Sequence, residues 1–277
     1  VRKLFLVLSL LTAGLVLLIF VSNIMTTLLE RYLPAVQIRP DDMGKFVLRG
    51  QFQTAYQHAS LTQAKNIELA ASMINGLVVE PGEVFSFNRT VGPYTPERGF
   101  ALGDTVIGDQ VVQTYGGGVC QVAGTLHNAV LLAGLEVVER HHHTLSIPYM
   151  PPGQDAAVSI SGGKDYKFRN NTNQPVLIWS GAKQGLLTVR IYGETRGPHI
   201  TLHHQILATV PPPEIRKVDP ALPRGAEQLV RQGVEGRTIR YWLEVETQQS
   251  KTVKELGTET YRPSPRIVIV GSGTAEQ

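Results

Sequence analysis

Hydrophobic positions are spread unevenly along the chain. Residues 4–29 contain no charged side chain, with Arg2 and Lys3 before them and Glu30 and Arg31 after them. Residues 4–21 are dominated by Leu, Val, Ile and Phe. As a helix rising about 1.5 Å per residue the stretch would reach roughly 39 Å, enough to cross a hydrocarbon core about 30 Å thick with some tilt. The cationic flank puts that end in the cytoplasm. The expectation is a single-pass anchor of the cell membrane in residues 1–30, inserted through residues 4–29, with the bulk of the chain extracytoplasmic. A cleaved signal peptide competes with this reading. It wants a small-x-small exit, whereas the stretch leaves through Phe20-Val21-Ser22-Asn23-Ile24-Met25.

Beyond the anchor the pattern changes element by element. Residues 31–50, broken by Pro34, Pro40 and Gly44, read as a juxtamembrane stalk. A first domain is expected over residues 51–193. Ser60 or Thr62 caps a helix through Asn75, with Ile67, Ala70, Ala71 and Ile74 on one stripe and Gly76 as its stop. Residues 77–87 read as two short strands around the Pro81-Gly82 turn. Val106-Ile107 and Val111-Val112 flank Gly108-Asp109-Gln110 as a hairpin leading to Gly116-Gly117-Gly118, after which residues 119–135 form an apolar helix. From residue 136 to 192 the period becomes two, in runs at 137–138, 145–147, 157–160, 166–168, 176–179 and 187–192. That predicts an antiparallel sheet burying one face.

Pro198, Pro211, Pro212, Pro213, Pro220 and Pro223 leave little room for regular structure, so residues 194–225 read as a proline-rich linker. A separate β pattern follows to the end of a 194–277 segment; at about 50 residues it is too short for a large core and should form a small elongated all-β module leaning on the first domain. The fold class expected is α+β: a transmembrane helix, an α+β domain with an antiparallel sheet, and the β module.

Composition adds exclusions. With 42% hydrophobic and 18% charged residues the chain is neither disordered nor collagen-like. The net charge of +3 falls to +2 without residues 1–30, which is no nucleic-acid footprint. There is no dinucleotide fingerprint, phosphate loop or internal repeat, so no cofactor is expected.

The candidate chemistry centres on the single cysteine, Cys120. In an exported chain it cannot form an internal disulfide; it is a buried small hydrophobe, an intermolecular link or a reactive thiol. It sits in the first turn of a helix, where unpaired N–H groups and the helix dipole favour a thiolate. Gly116, Gly117 and Gly118 just before it let an extended substrate approach the sulfur. Glu139-Arg140-His141-His142-His143-Thr144 follows the helix and supplies an imidazole, and Asp155 is the nearest carboxylate to orient it. Gln113 and Gln121, or the N–H of Cys120 or Gln121, could donate to an oxyanion. His127 is too far along the helix for proton transfer and reads as a lining or core residue. The alternatives stay open: a tight packing turn with an inert thiol, or half of a metal site, for which a fourth ligand is lacking.

Gly116-Gly117-Gly118-Val119-Cys120-Gln121-Val122-Ala123, Thr125-Leu126, Asn128-Ala129, Glu139-Arg140, His143-Thr144, Tyr149, Pro152-Gly153 and Asp155-Ala156 together resemble the signature of the VanW family. Phe85-Ser86-Phe87-Asn88 and Phe168-Arg169-Asn170 fit it too, over residues 85–192. The resemblance implies an exported, wall-associated protein of a family named for vancomycin B-type resistance, and it singles out His143 among the three histidines. His127 stands where such sequences often carry Tyr, and Thr144 where Ser is usual. Residues 202–271, with Gly233-Val234-Glu235-Gly236 and Tyr261-Arg262-Pro263, are similar to the G-five module. That similarity implies affinity for N-acetylglucosamine-containing glycan, with Tyr241, Trp242 and Tyr261 as flat surfaces for sugar rings or as part of a thin core. Two functions follow as expectations: a cysteine-dependent amidase, peptidase or acyltransferase working on peptidoglycan peptides through Cys120, His143 and Asp155, or a non-catalytic peptidoglycan-binding scaffold.

Overall fold

The computed structural model of the protein describes residues 44–107, 110–247 and 249–273. The expected membrane segment lies outside them; among the described residues no helix is long and apolar enough to cross a membrane. The chain is mostly β. In order come β1 (Val47–Ala55), α1 (Leu61–Ile74), β2 (Leu77–Val79), β3 (Val84–Ser86), α2 (Phe87–Val91), β4 (Leu102–Ile107), β5 (Gln110–Tyr115), α3 (Val119–Leu132), β6 (Glu136–Glu139), β7 (Lys167–Arg169), β8 (Val176–Lys183) and β9 (Leu186–Gly193). Then follow β10 (His199–Val210), β11 (Glu214–Pro223), β12 (Glu227–Arg231), β13 (Gly236–Glu246), β14 (Lys251–Tyr261) and β15 (Arg266–Gly273). All described residues belong to one compact unit.

Local signals explain the helices. Ser60 accepts from the Gln63 N–H while the Gln63 side chain accepts from the Ser60 N–H, a capping box that fixes the start of α1. Its stripe Ile67, Ala70, Ala71 and Ile74 is buried. Helix α3 is apolar almost all round and lies in the core, where Val122, Ala123, Leu126, Ala129 and Val130 are fully buried. Each such aliphatic side chain larger than alanine contributes about 1.5–3 kcal/mol by leaving water. The antiparallel sheet β1-β9-β8-β2 covers α1 and α3, and a smaller antiparallel sheet, β3-β7-β6, continues the layer.

Several elements differ from expectation. Strand β1 opens at Val47, inside the segment read as stalk, because Phe52 and Thr54 face the core in register with β9. Residues 77–87 do form two strands, but they pair in different sheets rather than with each other. The runs at 145–147 and 157–160 are not strands; they belong to a long loop, residues 140–166, in which Leu145 bridges to Arg262 and Ser159 bridges to Lys164 of the same loop. The proline-rich segment is regular: β10 and β11 run through it. Pro198 precedes β10, Pro211, Pro212 and Pro213 separate the two strands, and Pro220 and Pro223 lie on β11, an edge strand that needs N–H donors on one side only. The C-terminal part is two three-stranded sheets, β10-β13-β14 and β11-β15-β12, with β11 and β15 parallel.

Candidate active site

Cys120 is the second residue of α3, whose N-cap is Gly118 at φ +109°. Only glycine adopts this φ without strain, and the glycines are also short of space. A Cβ on Gly117 would lie 2.5 Å from the backbone of Gly103, and one on Gly116 2.9 Å from the Tyr94 side chain. The room in front of these glycines is therefore filled by the β4–β5 hairpin, Tyr94 and α1. They pack the helix start on the side of these glycines.

The 140–166 loop folds back over the start of α3. Asn128 donates from Nδ2 to the Gln154 carbonyl at 2.7 Å, and Gly124 leaves room for Met150 and the Ala156 backbone. The turn brings two short stretches side by side: Ala157 N–H donates to the His141 carbonyl at 2.7 Å, and Arg140 Nε to the Asp155 carbonyl at 2.6 Å. Asp155 and His143 meet through this pairing. The fully buried Asp155 accepts at Oδ2 from both the His143 main-chain N–H (2.7 Å) and its ring Nδ1 (2.6 Å). A carboxylate only accepts, so Nδ1 carries the hydrogen and the other ring nitrogen is left for Cys120. The half-buried thiol is bracketed on its far side by Val158, whose N–H donates to Sγ at 3.4 Å and whose carbonyl lies 3.5 Å away.

The electrostatics of the three residues are mutually dependent. Burial by itself would raise the Cys120 pKa, but the hydrogen bond and charge of His143, with the Val158 N–H, outweigh burial and the Asp155 charge and lower it. Burial would lower that of His143; Asp155 and Cys120 push it up to about 9. Asp155, which burial would raise, is held well below the usual carboxylate range by His143, Arg140 and Tyr261. Together these directions favour negative charge on the sulfur and a proton on the imidazole, with the carboxylate behind it. Tyr149 adds a nearby wall, its phenol kept protonated by burial and by the charges of Cys120 and Asp155.

Cys120, His143 and Asp155 are thus brought together, and His143 stands on the loop rather than on a strand. The glutamines are not part of the cluster. Gln121 Nε2 donates to Thr54 Oγ1 (3.0 Å) and the Ala55 carbonyl (2.9 Å), its N–H is taken by the Gly118 carbonyl, and Gln113 bonds Asp104. Both expected oxyanion side chains are spent on local structure. His127 is buried against Tyr166, as a core residue. Among the described residues no group of three or more His, Cys, Asp or Glu is arranged to hold a metal ion.

Three residues of β13 and β14 complete the site without having been expected there. Tyr261, read as a sugar platform, is buried and donates from its hydroxyl to Asp155 Oδ1 at 2.6 Å. Glu259 pairs with Arg140 Nη1, Tyr241 Oη lies 2.9 Å from the same nitrogen, and Arg140 Nη2 reaches Asp155 Oδ1 at 3.1 Å. Trp242 stacks on His203 with ring centroids 5.4 Å apart, and Arg240 lies over it at 5.1 Å.

Two family models match the chain. Residues 62–192 match the model for "VanW like protein", and residues 204–273 match the G5 domain model. The chain is 42% identical over 143 residues to the uncharacterized protein YoaR of Bacillus subtilis, covering 52% of this chain and 47% of that one. It is 34% identical over 119 residues to the vancomycin B-type resistance protein VanW of Enterococcus faecalis, covering 41% of this chain and 43% of that one. The chain therefore spans under half the length of these curated relatives. The solved G5 domain of an IgA1 protease is 20% identical and covers 28% of this chain and 95% of its own, with a TM-score of 0.19.

Proposed function

For a chain that carries a VanW-like domain followed by a G5 domain, we propose a cell-wall-associated protein whose Cys120, His143 and Asp155 form a thiol site for peptidoglycan peptides. The observation that carries this reading is the Asp155–His143 pair, held at 2.6 Å and electrostatically coupled to a thiol at a helix start. In the proposed reaction the Cys120 thiolate attacks an amide carbonyl carbon and forms a C–S bond. The C–N bond breaks as His143 gives its proton to the leaving amine. Water then attacks the thioester, passing a proton to His143, and the thiolate leaves with a carboxylate product formed. The positive end of the α3 dipole faces the charge that develops. Residues 4–29 tether the chain to the membrane, and the G5 domain holds N-acetylglucosamine-containing glycan of the wall.

Incubation of purified protein with peptidoglycan fragments, followed by mass spectrometry, tests the chemistry. Wild type is expected to convert a peptide amide and Cys120→Ala not to; equal conversion by both overturns the reading. A second reading, wall binding without chemistry, is favoured by the glycines being filled by protein atoms and by Val158 bracketing the sulfur. It predicts retention on insoluble peptidoglycan unchanged by Cys120→Ala, and no retention above an unrelated protein of similar charge would end it.

A further inference from the structure

The buried charges around Asp155 come from both parts of the chain. Arg140 leaves the end of β6 with its side chain only 8% exposed, and two carboxylates compete for it: Asp155, from the same loop, and Glu259, from β14. Asp155 in turn stands between two cations, Arg140 at Oδ1 and the His143 ring at Oδ2. Tyr261 Oη ties the carboxylates together, lying 2.6 Å from Asp155 Oδ1 and 2.9 Å from Glu259 Oε2, while it accepts from Gly153 N–H at 2.7 Å. Tyr241 Oη donates to Glu259 at 2.8 Å. Facing the same cluster are Cys120 and His127 from α3, Tyr149 from the loop, and the His142 ring, 5.3 Å from that of Tyr261.

Charge balance then decides what Asp155 can do. With Arg140 alone beside it, Asp155 is neutralised, and a second cation on His143 has no counter-charge nearby other than the thiolate. With Glu259 holding Arg140, the carboxylate charge of Asp155 is available to His143. Asp155 lies between Arg140 and His143, so an uncompensated Arg140 bears on the imidazolium more strongly than on the sulfur beyond it.

Resting on the thiol-site reading above, we infer that the G5 domain is a working part of the site: Glu259 is a positioning residue that neutralises Arg140 and so commits Asp155 to His143. The VanW-like domain supplies the reacting groups and the G5 domain supplies the charge that sets them.

The test is the pH titration of the His143 ring, followed by NMR in the full chain beside iodoacetamide labelling of Cys120, with folding checked by circular dichroism. Glu259→Gln is expected to move the His143 inflection downward by about 1 pH unit, and Arg140→Gln, which frees both carboxylates, to move it upward. Glu259→Asp keeps the charge and should stay close to wild type. Glu255→Gln, which breaks an exposed pair with Arg240 on the same strand, should leave the profile unchanged. General damage to the site would move Glu259→Gln and Arg140→Gln the same way, and that result, or an unmoved Glu259→Gln, overturns the inference. If Glu259→Gln does not fold, the direction in Arg140→Gln decides. A wild-type thiol that labels only above the ordinary cysteine value of about 8.5 would instead sink the thiol-site reading itself.

Discussion

Asp155 Oδ2 holds His143 at two points, the main-chain N–H at 2.7 Å and ring Nδ1 at 2.6 Å. One oxygen therefore sets both the position of the residue and the orientation of its imidazole. Asp155→Asn keeps the shape and removes the charge, and an amide presenting its NH2 to Nδ1 would reverse the hydrogen bond. The expected result is a fall of about tenfold or more in Cys120 labelling near neutral pH. Stability should also drop by about 3 kcal/mol, since buried Arg140 loses one of its partners. An unchanged labelling profile in a folded Asp155→Asn variant would contradict this role.

The pH limits follow from the same pair. His143 is pushed up to about 9, so the proton that it would give the leaving amine is lost above that pH. Conversion of a peptide amide should decline on the alkaline side with an apparent pKa near 9, read from the rate against pH. Asp155 is depressed in the folded state, so the unfolded chain binds more protons at low pH. Its contribution to stability is present above the ordinary carboxylate pKa of about 3.9 and is lost as pH falls toward the native value. Thermal midpoints should drop below about pH 4, and the drop should be shallower in Asp155→Asn.

The three glycines make a prediction about folding rather than chemistry. A Cβ on Gly117 would meet backbone carbon and oxygen of Gly103 at 2.5 and 2.6 Å, where no flexible side chain can yield. A Cβ on Gly82 meets nothing within 4 Å, although its φ is +79°. Gly117→Ala should thus cost about 2–3 kcal/mol in denaturant unfolding, against about 1 kcal/mol for Gly82→Ala. Equal costs would mean that the hairpin moves aside freely.

These outcomes bear on what the amino-acid order reveals. The Ser60 cap and the helix after Gly118 are local features, and local chemistry predicts them, whereas His143 is singled out among three histidines only by the family resemblance. The 140–166 loop defeats that reasoning: residues 157–160 alternate like a strand, yet Val158 is buried because it lies over Cys120, not because it joins a ladder. Prolines mislead at β11 because only sheet order shows that it is an edge strand. Tyr261 is the clearest case. It meets Asp155 from 106 residues away, and nothing near either residue announces the contact. An aromatic residue in a thin β module reads equally well as a sugar surface until the neighbouring loop is in place.

His127 provides a last test, of whether burial near the site implies a part in it. Its ring is 2% exposed, both ring nitrogens lack a hydrogen-bond partner among the described residues, and it meets the Tyr166 ring edge-on at 5.4 Å. Burial and the Arg140 charge, opposed by Asp155, push its pKa down to about 3, so it stays neutral while the cluster above it titrates. A neutral, unpaired imidazole in the core costs desolvation without return. Replacing it by an apolar ring of similar shape should be neutral or stabilising, by up to about 1 kcal/mol. His127→Phe is therefore expected to unfold at the same or higher denaturant concentration and to leave the Cys120 labelling inflection where it is. A loss of more than about 1 kcal/mol would show that the nitrogens have a partner, such as an ordered water shared with the Tyr166 hydroxyl. A shifted inflection would place His127 in the charge network after all.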